Sequence, residues 1–212
     1  MKPTKSTGEK KIILDLCGGT GAWSAPYKEA GYDVRNITLP EYDVRNWIVN
    51  NYGDLIFQGN AGAVNQRVKL SEIYGILAAP PCTEFSLAKS TKPRNFTVGM
   101  EIVKACLNLI WESRLKYKLK FWAMENPRGF LRQFIGKPVF TFEQWEFGHK
   151  GVKPTDIWGY FNEPRKKIKI KPEGLSRFYP CGKRNALGWS KSAEERAITP
   201  RGFALAFYSA NK

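Results

Sequence analysis

The sequence feature that most constrains the fold is an apolar run that leads directly into a glycine-rich segment. Residues 11–16 (KIILDL) are almost continuously apolar, and residues 17–24 (CGGTGAWS) follow at once. Such a run is typical of a strand buried in a parallel sheet, and helical sequence continues to Gly31. Glycines let a backbone approach a ligand closely, although glycine turns in α/β proteins often only close the chain. The pattern predicts a strand, a glycine loop and a helix, and Asp15 at the strand end favours a nucleoside-type ligand.

A second apolar run delivers a thiol to its carboxyl end. Residues 73–79 predict a strand, and Pro80, Pro81 and Cys82 follow it. Proline can neither continue a strand ladder nor sit in a helix interior, so this pair stiffens the turn that presents the sulfur. A lone cysteine is most often a small buried apolar residue. At the end of a strand it is also a candidate nucleophile.

A third apolar run, residues 119–124, predicts another strand that ends in a polar cluster, Glu125 and Asn126. A Glu before Asn-Pro can simply cap a turn. However, ligands of open α/β sheets bind outside the carboxyl ends of the strands, where this Glu would lie. The residues that we expect to converge on one crevice there are Asp15, Asp43, Cys82 and Glu125.

The remaining segments fit the same α/β pattern. Residues 32–39 predict a second strand, and residues 40–45 the loop after it, in which Asp43 either faces the ligand or caps a helix over about residues 45–51. The apolar spacing of residues 99–116 predicts an amphipathic helix that covers the sheet, with Cys106 in the core. Segments nearer the carboxyl end predict a strand and turn over 153–159 and a proline-started helix over 198–207 that packs on the sheet.

The length and composition fit one domain over residues 1–212. The chain has 42% hydrophobic residues, which is enough for a sizeable core, and its Lys-rich residues 1–10 predict a disordered lead-in. The 4 cysteines form no Cys-x-x-Cys pair and there is a single His149, so we expect reduced thiols and no structural zinc. No signal peptide or membrane-length apolar run is present, so we expect a soluble intracellular monomer.

The charge of the chain points to a polyanionic partner. There are 34 Lys and Arg against 19 Asp and Glu, a formal net charge of +15. An anionic membrane surface would also attract such a chain, but no basic amphipathic helix supports that interpretation, so nucleic acid is favoured. Residues 164–184 interleave cations with apolar and aromatic residues. They predict a phosphate-contacting face, with a solvated basic loop as the alternative.

Five ordered blocks span nearly the whole chain: residues 15–21 (DLCGGTG), 43–45 (DVR), 80–86 (PPCTEFS), 125–127 (ENP) and 196–204 (RAITPRGFA). Together they resemble DNA (cytosine-5) methyltransferases of the compact kind found in bacteriophages and prophages. The resemblance implies a Rossmann-like methyltransferase sheet with helices on both faces. It also implies S-adenosylmethionine as methyl donor, double-stranded DNA with a flipped cytosine as partner, and action in the cytoplasm of a bacterial or phage-infected cell.

The resemblance also assigns roles to single residues. Carbon 5 of cytosine is a poor nucleophile, and addition of the Cys82 thiolate at carbon 6 makes it an enamine that can attack a methyl group. Glu125 would hydrogen-bond to ring nitrogen 3 and the exocyclic amine, and Asn126 would hold the loop. Pro81 and Lys153 complete the predicted catalytic group. The predicted cofactor-binding residues are Asp15, Leu16, Cys17, Gly18, Gly19, Thr20, Gly21, Trp23, Thr38, Leu39, Asp43, Val44, Pro80, Arg196 and Ala197.

The chain departs from the larger members of that family in three places. Thr38 stands where an acid usually binds the ribose hydroxyls. Lys153 and Thr155 stand where two arginines usually brace the catalytic loop and the base. Residues 160–195 form only a reduced basic insertion, which leaves little room for target recognition, so sequence selectivity should be short or lax.

Three alternatives remain open from the sequence. By the same resemblance, Arg196 lies near the position where the family commonly has Asn beside the cofactor sulfonium. A cation there could pair with the extra carboxylate of carboxy-S-adenosylmethionine, giving 5-carboxymethylcytosine. RNA is a possible substrate, because no residue distinguishes ribose from deoxyribose. A non-catalytic DNA-binding module is the third alternative, although intact Cys82 and Glu125 argue against it.

Overall fold

The apolar run and glycine loop near the start of the chain form the first strand, loop and helix of an α/β fold. The computed structural model describes residues 11–89, 92–149, 152–173, 175 and 197–212. The strands are β1 (Ile12–Leu16), β2 (Asp33–Ile37), β3 (Tyr42–Val49), β4 (Asp54–Gly59), β5 (Gln66–Lys69), β6 (Ile73–Ala78), β7 (Phe121–Pro127), β8 (Phe140–Phe142) and β9 (Thr155–Tyr160). The helices are α1 (Ala25–Glu29), α2 (Phe96–Lys116), α3 (Leu131–Ile135) and α4 (Arg201–Ala210).

The main sheet has six strands in the order β2-β1-β6-β7-β9-β8. Strands β2, β1, β6 and β7 are parallel, and β9 runs antiparallel to both β7 and β8. The chain leaves β1 for β2 on one side and later returns to β6 and β7 on the other. The order therefore reverses between β1 and β6, and the carboxyl ends of these two strands open the crevice in which open α/β sheets bind ligands. This order is compatible with the predicted Rossmann-like sheet.

Helices cover both faces of the sheet, as predicted. On one face, Val103, Cys106 and Leu109 of α2 are fully buried in a cluster with Leu14 and Ile76 of the sheet. Burial of Cys106 confirms its predicted place in the core.

The opposite face of the sheet is covered by the carboxyl-terminal helix. Phe203, Ala204 and Phe207 of α4 pack there on Ile13 and Leu77. The predicted helix over residues 198–207 is confirmed with a shifted start, because Pro200 sits at its amino-terminal cap and the helix begins at Arg201.

The predicted helix over about residues 45–51 is wrong, because these residues belong mainly to strand β3. This strand pairs antiparallel with β4, which pairs with β5 in a separate three-stranded sheet. Trp47, Ile48 and Val49 are the aromatic and β-branched residues that favour strands. The side-chain oxygen of Asn50 accepts hydrogen bonds from the main-chain N–H groups of Tyr52 and Asp54, both at 2.9 Å, which closes the turn.

Strand β7 extends further than predicted and includes the polar cluster at its end. Glu125, Asn126 and Pro127 pair with Ile157, Asp156 and Thr155 of β9. Glu125 therefore lies within a strand, and it does not cap a turn. The antiparallel neighbour β9 continues the ladder past the point where the parallel strands stop.

Several expectations fall partly or wholly outside the described residues. The lead-in over residues 1–10 and most of the basic insertion after residue 173 lie outside them.

Within the described part, no helix is long and apolar enough to cross a membrane. No group of His, Cys, Asp or Glu in that part is arranged to hold a metal ion.

Candidate active site

Cys82 stands at the start of a tight turn beyond β6. Its main-chain carbonyl accepts hydrogen bonds from the N–H groups of Phe85 (3.0 Å) and Ser86 (2.8 Å), and its side chain is partly exposed. Phe85 is fully buried, and its carbonyl accepts a hydrogen bond from the N–H of Phe130 at 2.9 Å. The polypeptide behind the thiol is therefore anchored while the sulfur stays accessible.

Glu84 ties this loop to the start of α2. Its carboxylate accepts hydrogen bonds from the Lys89 ammonium at 2.7 and 2.6 Å and from the Asn95 N–H at 2.6 Å. The Arg94 guanidinium donates to the carbonyls of Glu84 (3.0 Å) and Lys89 (2.7 Å). The hydrogen bonds from Lys89 and Asn95 hold the pKa of Glu84 below its usual value. Sequence reasoning missed these residues, because their partners are identified only once the loop is closed.

Cys82, Glu125 and Lys153 form one electrostatic group. Burial raises the pKa of the Cys82 thiol, the Lys153 ammonium opposes that shift, and the Glu125 carboxylate adds to it. Burial also raises the pKa of Glu125, again opposed by Lys153 and reinforced by Asp156. The structure thus brings together three of the predicted catalytic residues, and one lysine acts on both the thiol and the carboxyl group.

Replacing Lys153 should therefore change the ionisation of Cys82. In Lys153→Gln we expect the pH at which Cys82 becomes half ionised to rise, because the cation that favours the thiolate is gone. The measurement is the rate of iodoacetamide alkylation against pH, followed on the Cys82 peptide by mass spectrometry so that other thiols do not contribute. Lys153→Arg keeps the charge and should behave like the wild type. If the pH profile of Cys82 alkylation is the same in Lys153→Gln as in the wild type, Lys153 does not act on the Cys82 thiol.

Asn126 connects the two central strand ends. It is almost completely buried, and its amide Nδ2 donates to the carbonyl of Pro80 at 2.9 Å. This contact fits the predicted role of holding the loop that carries the thiol. Pro80 is buried, whereas Pro81 is exposed.

The glycine loop has a geometry that other residues would not tolerate. A Cβ on Gly18 would come within 2.4 Å of the Asp15 carboxyl carbon, and Gly21 has a φ of 71°. The Gly19 N–H donates to Thr38 Oγ1 at 3.3 Å, and Asn36 Nδ2 donates to the Gly19 carbonyl at 2.8 Å. A Cβ on Gly19 would meet no atom within 4 Å. The loop is therefore pinned to the end of β2 and open above Gly19.

Asp15 lies beneath this loop. Its carboxylate is fully buried, and Oδ2 accepts a hydrogen bond from the Ser24 hydroxyl at 2.5 Å. Among the described residues, Oδ1 has no hydrogen-bond partner. Burial raises the pKa of Asp15 from 3.8 to about 6, although the hydrogen bond from Ser24 opposes the shift.

This burial predicts a pH-dependent gain in stability for Asp15→Asn. The folded-state pKa is above the unfolded one, so the carboxyl group costs stability as pH rises from about 4 through 6. At pH 8 the cost is about 3 kcal/mol, and Asn removes it while keeping an acceptor for Ser24. The measurement is the free energy of unfolding in urea of Asp15→Asn and the wild type, at pH 4.5 and at pH 8. Asp43→Asn is the control: the pKa of Asp43 is lowered, so its contribution is already present above about pH 4 and its loss should destabilise about equally at pH 4.5 and 8. An equal effect of Asp15→Asn at both pH values would contradict the prediction.

Other predicted cofactor residues are distributed between the core and the surface. The side chains of Leu16, Trp23 and Val44 are buried, so a ligand would contact only their main chain. Cys17, Thr20 and Leu39 are partly or fully exposed. Arg196 lies outside the described residues.

Asp43 is paired with Arg45 of the same strand. Its carboxylate accepts hydrogen bonds from the Arg45 main-chain N–H at 2.9 Å and from the Arg45 guanidinium. These bonds lower the pKa of Asp43. Of the four residues expected to share one crevice, the structure groups Cys82 with Glu125 and gives Asp15 and Asp43 other partners.

The carboxyl-terminal block faces Glu125. A very small crevice of about 10 Å³ has Glu125, Lys153, Thr155 and residues 197–200 among the residues that line it. Ala197 therefore lies near the candidate catalytic residues, as its predicted role requires. The Thr155 hydroxyl donates to the Lys153 carbonyl at 3.0 Å and so fixes the chain next to that lysine.

Part of the basic segment is tied down. The Lys166 ammonium pairs with Glu146 at 2.9 Å and donates to the Thr141 carbonyl at 3.1 Å. Lys167 and Lys169 are exposed. These two remain candidates for phosphate contact, whereas Lys166 is already bound within the protein.

The comparisons with known proteins leave the site to be interpreted from its geometry. No protein-family model matches the chain, and the search of curated proteins found no match.

Proposed function

We propose that this protein is a DNA cytosine carbon-5 methyltransferase that uses S-adenosylmethionine. The observation that carries the proposal is the grouping of Cys82, Glu125 and Lys153 at the carboxyl ends of β6 and β7, next to the glycine loop at the point where the strand order reverses. A thiol, a carboxyl group with a raised pKa and a cation are the groups that covalent activation of a cytosine needs.

Each residue has a definite task in this proposal. The Cys82 sulfur forms a bond to carbon 6 of the base, and the proximity of Lys153 favours the thiolate. Glu125 holds a proton near neutral pH more readily than an exposed Glu does, so it can hydrogen-bond to ring nitrogen 3 as charge develops. A base must leave the stack to reach Cys82, which costs a few kcal/mol.

The glycine loop fits the methyl donor, which supplies an electrophilic methyl group when bound. The open space above Gly19 and the tight approach at Gly18 leave main chain exposed to a ligand. Thr38 supports the loop through Gly19, and Ala197 lies on the side of Glu125. These residues, with the main chain of Gly21, would hold the donor.

The charge of the chain supports a polynucleotide partner. Replacing both Lys167 and Lys169 with Ala should weaken DNA binding about equally on all sequences and reduce the dependence of log Kd on log salt by up to about 2, since each phosphate contact contributes about 0.9. Fluorescence anisotropy at several salt concentrations measures the slope. The control is Lys166→Ala, whose ammonium is already paired with Glu146. An unchanged slope in the double variant would place the DNA elsewhere.

Mass analysis of nucleosides tests the proposal. Purified protein, S-adenosylmethionine and cytosine-containing duplex DNA should give 5-methylcytosine, and Cys82→Ser should give none. The same experiment with RNA, or with carboxy-S-adenosylmethionine added, separates the RNA and 5-carboxymethylcytosine alternatives. DNA binding without any modified cytosine would contradict the proposal and favour a non-catalytic module.

A further inference from the structure

The guanidinium of Arg128 lies beside the candidate active site with an unsatisfied hydrogen-bond donor. Arg128 directly follows β7, and its main-chain N–H donates to the Pro154 carbonyl at 2.9 Å, next to Lys153. The side chain is 38% exposed. Its Nε is nevertheless buried and has no hydrogen-bond partner within the described part of the chain.

The nearest carboxylate cannot satisfy this donor. Asp156 on β9 is fully buried, and its two oxygens each accept a hydrogen bond from the Arg132 guanidinium at 2.6 Å. The Thr141 hydroxyl adds a third bond at 3.0 Å. Arg128 Nε is 3.9 Å from Asp156 Oδ1, too far for a hydrogen bond. Two guanidinium groups share one carboxylate, which therefore balances the charge of Arg128 only in part.

This charge lies close to the residues that would act on the base. Asp156 pairs with Asn126 across the β7–β9 ladder, and Pro154 follows Lys153 directly. The main chain of Arg128 is therefore fixed to the same segment that carries Lys153. Because the Arg128 side chain is 38% exposed, an anion that approaches this end of β7 can reach it.

We propose that Arg128 binds a backbone phosphate of a polynucleotide, next to the base held by Cys82 and Glu125. The proposal rests on the proposed function and specifies its substrate as a nucleotide within a chain, in preference to a free nucleoside. Arginine presents several N–H groups in a planar fork that matches phosphate oxygens. A nucleotide whose base enters the site remains linked to its flanking phosphates, so one of these phosphates lies at the entrance of the candidate active site.

A purely structural role for Arg128 predicts different behaviour. In that case Arg128→Ala would lower the unfolding temperature, and the variant would keep the wild-type loss of affinity at each neutralised phosphate. Arg132, whose guanidinium is bound to Asp156 through two hydrogen bonds, is the residue for which a structural role is expected.

A methylphosphonate scan tests the proposal. The probe is a short labelled duplex with one cytosine placed in a mismatch, which lowers the cost of flipping, and each phosphate near it is made neutral in turn. We expect the wild type to lose about tenfold in affinity at one flanking position, as fits a charge-assisted hydrogen bond. Arg128→Ala should bind the unmodified duplex about tenfold more weakly than the wild type does. Neutralising the sensitive phosphate should then cause no further loss of affinity in this variant. Arg128→Lys should recover part of the lost affinity.

The matched control is Arg67→Ala on β5, a 67% exposed arginine 3.8 Å from Asp54, which should keep the phosphate sensitivity of the wild type. If Arg128→Ala stays as sensitive as the wild type at every position, or binds the native duplex as tightly, the proposal is wrong. If the wild type forms a covalent adduct with 5-fluorocytosine DNA and yet loses affinity at no neutralised phosphate, only the inference about Arg128 fails. If the wild type binds no duplex, the proposed function fails with it.

Discussion

Cys82→Ser is expected to abolish formation of 5-methylcytosine while leaving the fold intact. A hydroxyl is a much weaker nucleophile than a thiol near neutral pH, and loss of an enzyme's nucleophile commonly lowers kcat by well over about 10³-fold. The loop is held by the Cys82 carbonyl, Phe85 and Glu84, and the substitution changes none of these contacts, so we expect the loop to remain closed. The measurement is single-turnover methyl transfer to DNA by the variant and the wild type.

Binding measurements provide the control for this loss. The dissociation constants of Cys82→Ser for S-adenosylmethionine and for DNA should remain close to those of the wild type. Cys106→Ser is the matched thiol variant, because Cys106 lies on the buried face of α2 and its replacement should affect stability without removing the chemistry. Near-normal turnover by Cys82→Ser would remove Cys82 from the mechanism.

Arg132→Leu is expected to destabilise the protein by about 1–3 kcal/mol, because the buried Asp156 carboxylate loses both hydrogen bonds from Arg132 and keeps only the Arg128 guanidinium, at 3.9 Å, as a nearby cation. That carboxylate is fully buried and receives two hydrogen bonds from Arg132 at 2.6 Å. The free energy of unfolding from urea titration at pH 7 measures the effect.

A double variant separates loss of the ion pair from loss of packing. Arg132→Leu combined with Asp156→Asn removes the charge together with its partner, so it should recover much of the stability. If the single and double variants are equally unstable, the buried charge is not the cause. If Arg132→Leu is as stable as the wild type, Asp156 does not depend on Arg132.

The parts of the fold that the sequence predicts are those with strong local patterns. Residues 11–16 and 73–79 are apolar runs that end in glycine or proline, and they form β1 and β6. The spacing of apolar residues in α2 predicts its buried face, including Cys106. Because β1, β6 and β7 are parallel neighbours, these local predictions also place Cys82 and Glu125 near each other.

The predictions that failed depend on partners distant in sequence. The spacing of apolar residues in 45–49 does not distinguish a helix from a strand. These residues form a strand because they pair with β4. Glu125 lies in a strand because β9 extends the ladder beside it.

Several residues near the candidate site were missed for the same reason. Glu84 is bound by Lys89 and Asn95 only once the loop after Cys82 has closed on α2. Asp156 reads in the sequence as an ordinary surface acid, but the structure buries it between β7 and β8. Arg128 and Arg132 were missed as well, because both lie beside the buried carboxylate of Asp156.

The most direct test of the account is whether Cys82 forms a covalent bond to cytosine. Wild-type protein is incubated with S-adenosylmethionine and duplex DNA in which 5-fluorocytosine replaces cytosine, and intact mass is measured under denaturing conditions. Fluorine at carbon 5 blocks the elimination that would release the enzyme, so we expect a protein–DNA adduct whose crosslinked peptide contains Cys82. Cys82→Ser should form none. Absence of an adduct in wild-type protein that binds both DNA and S-adenosylmethionine would contradict the account.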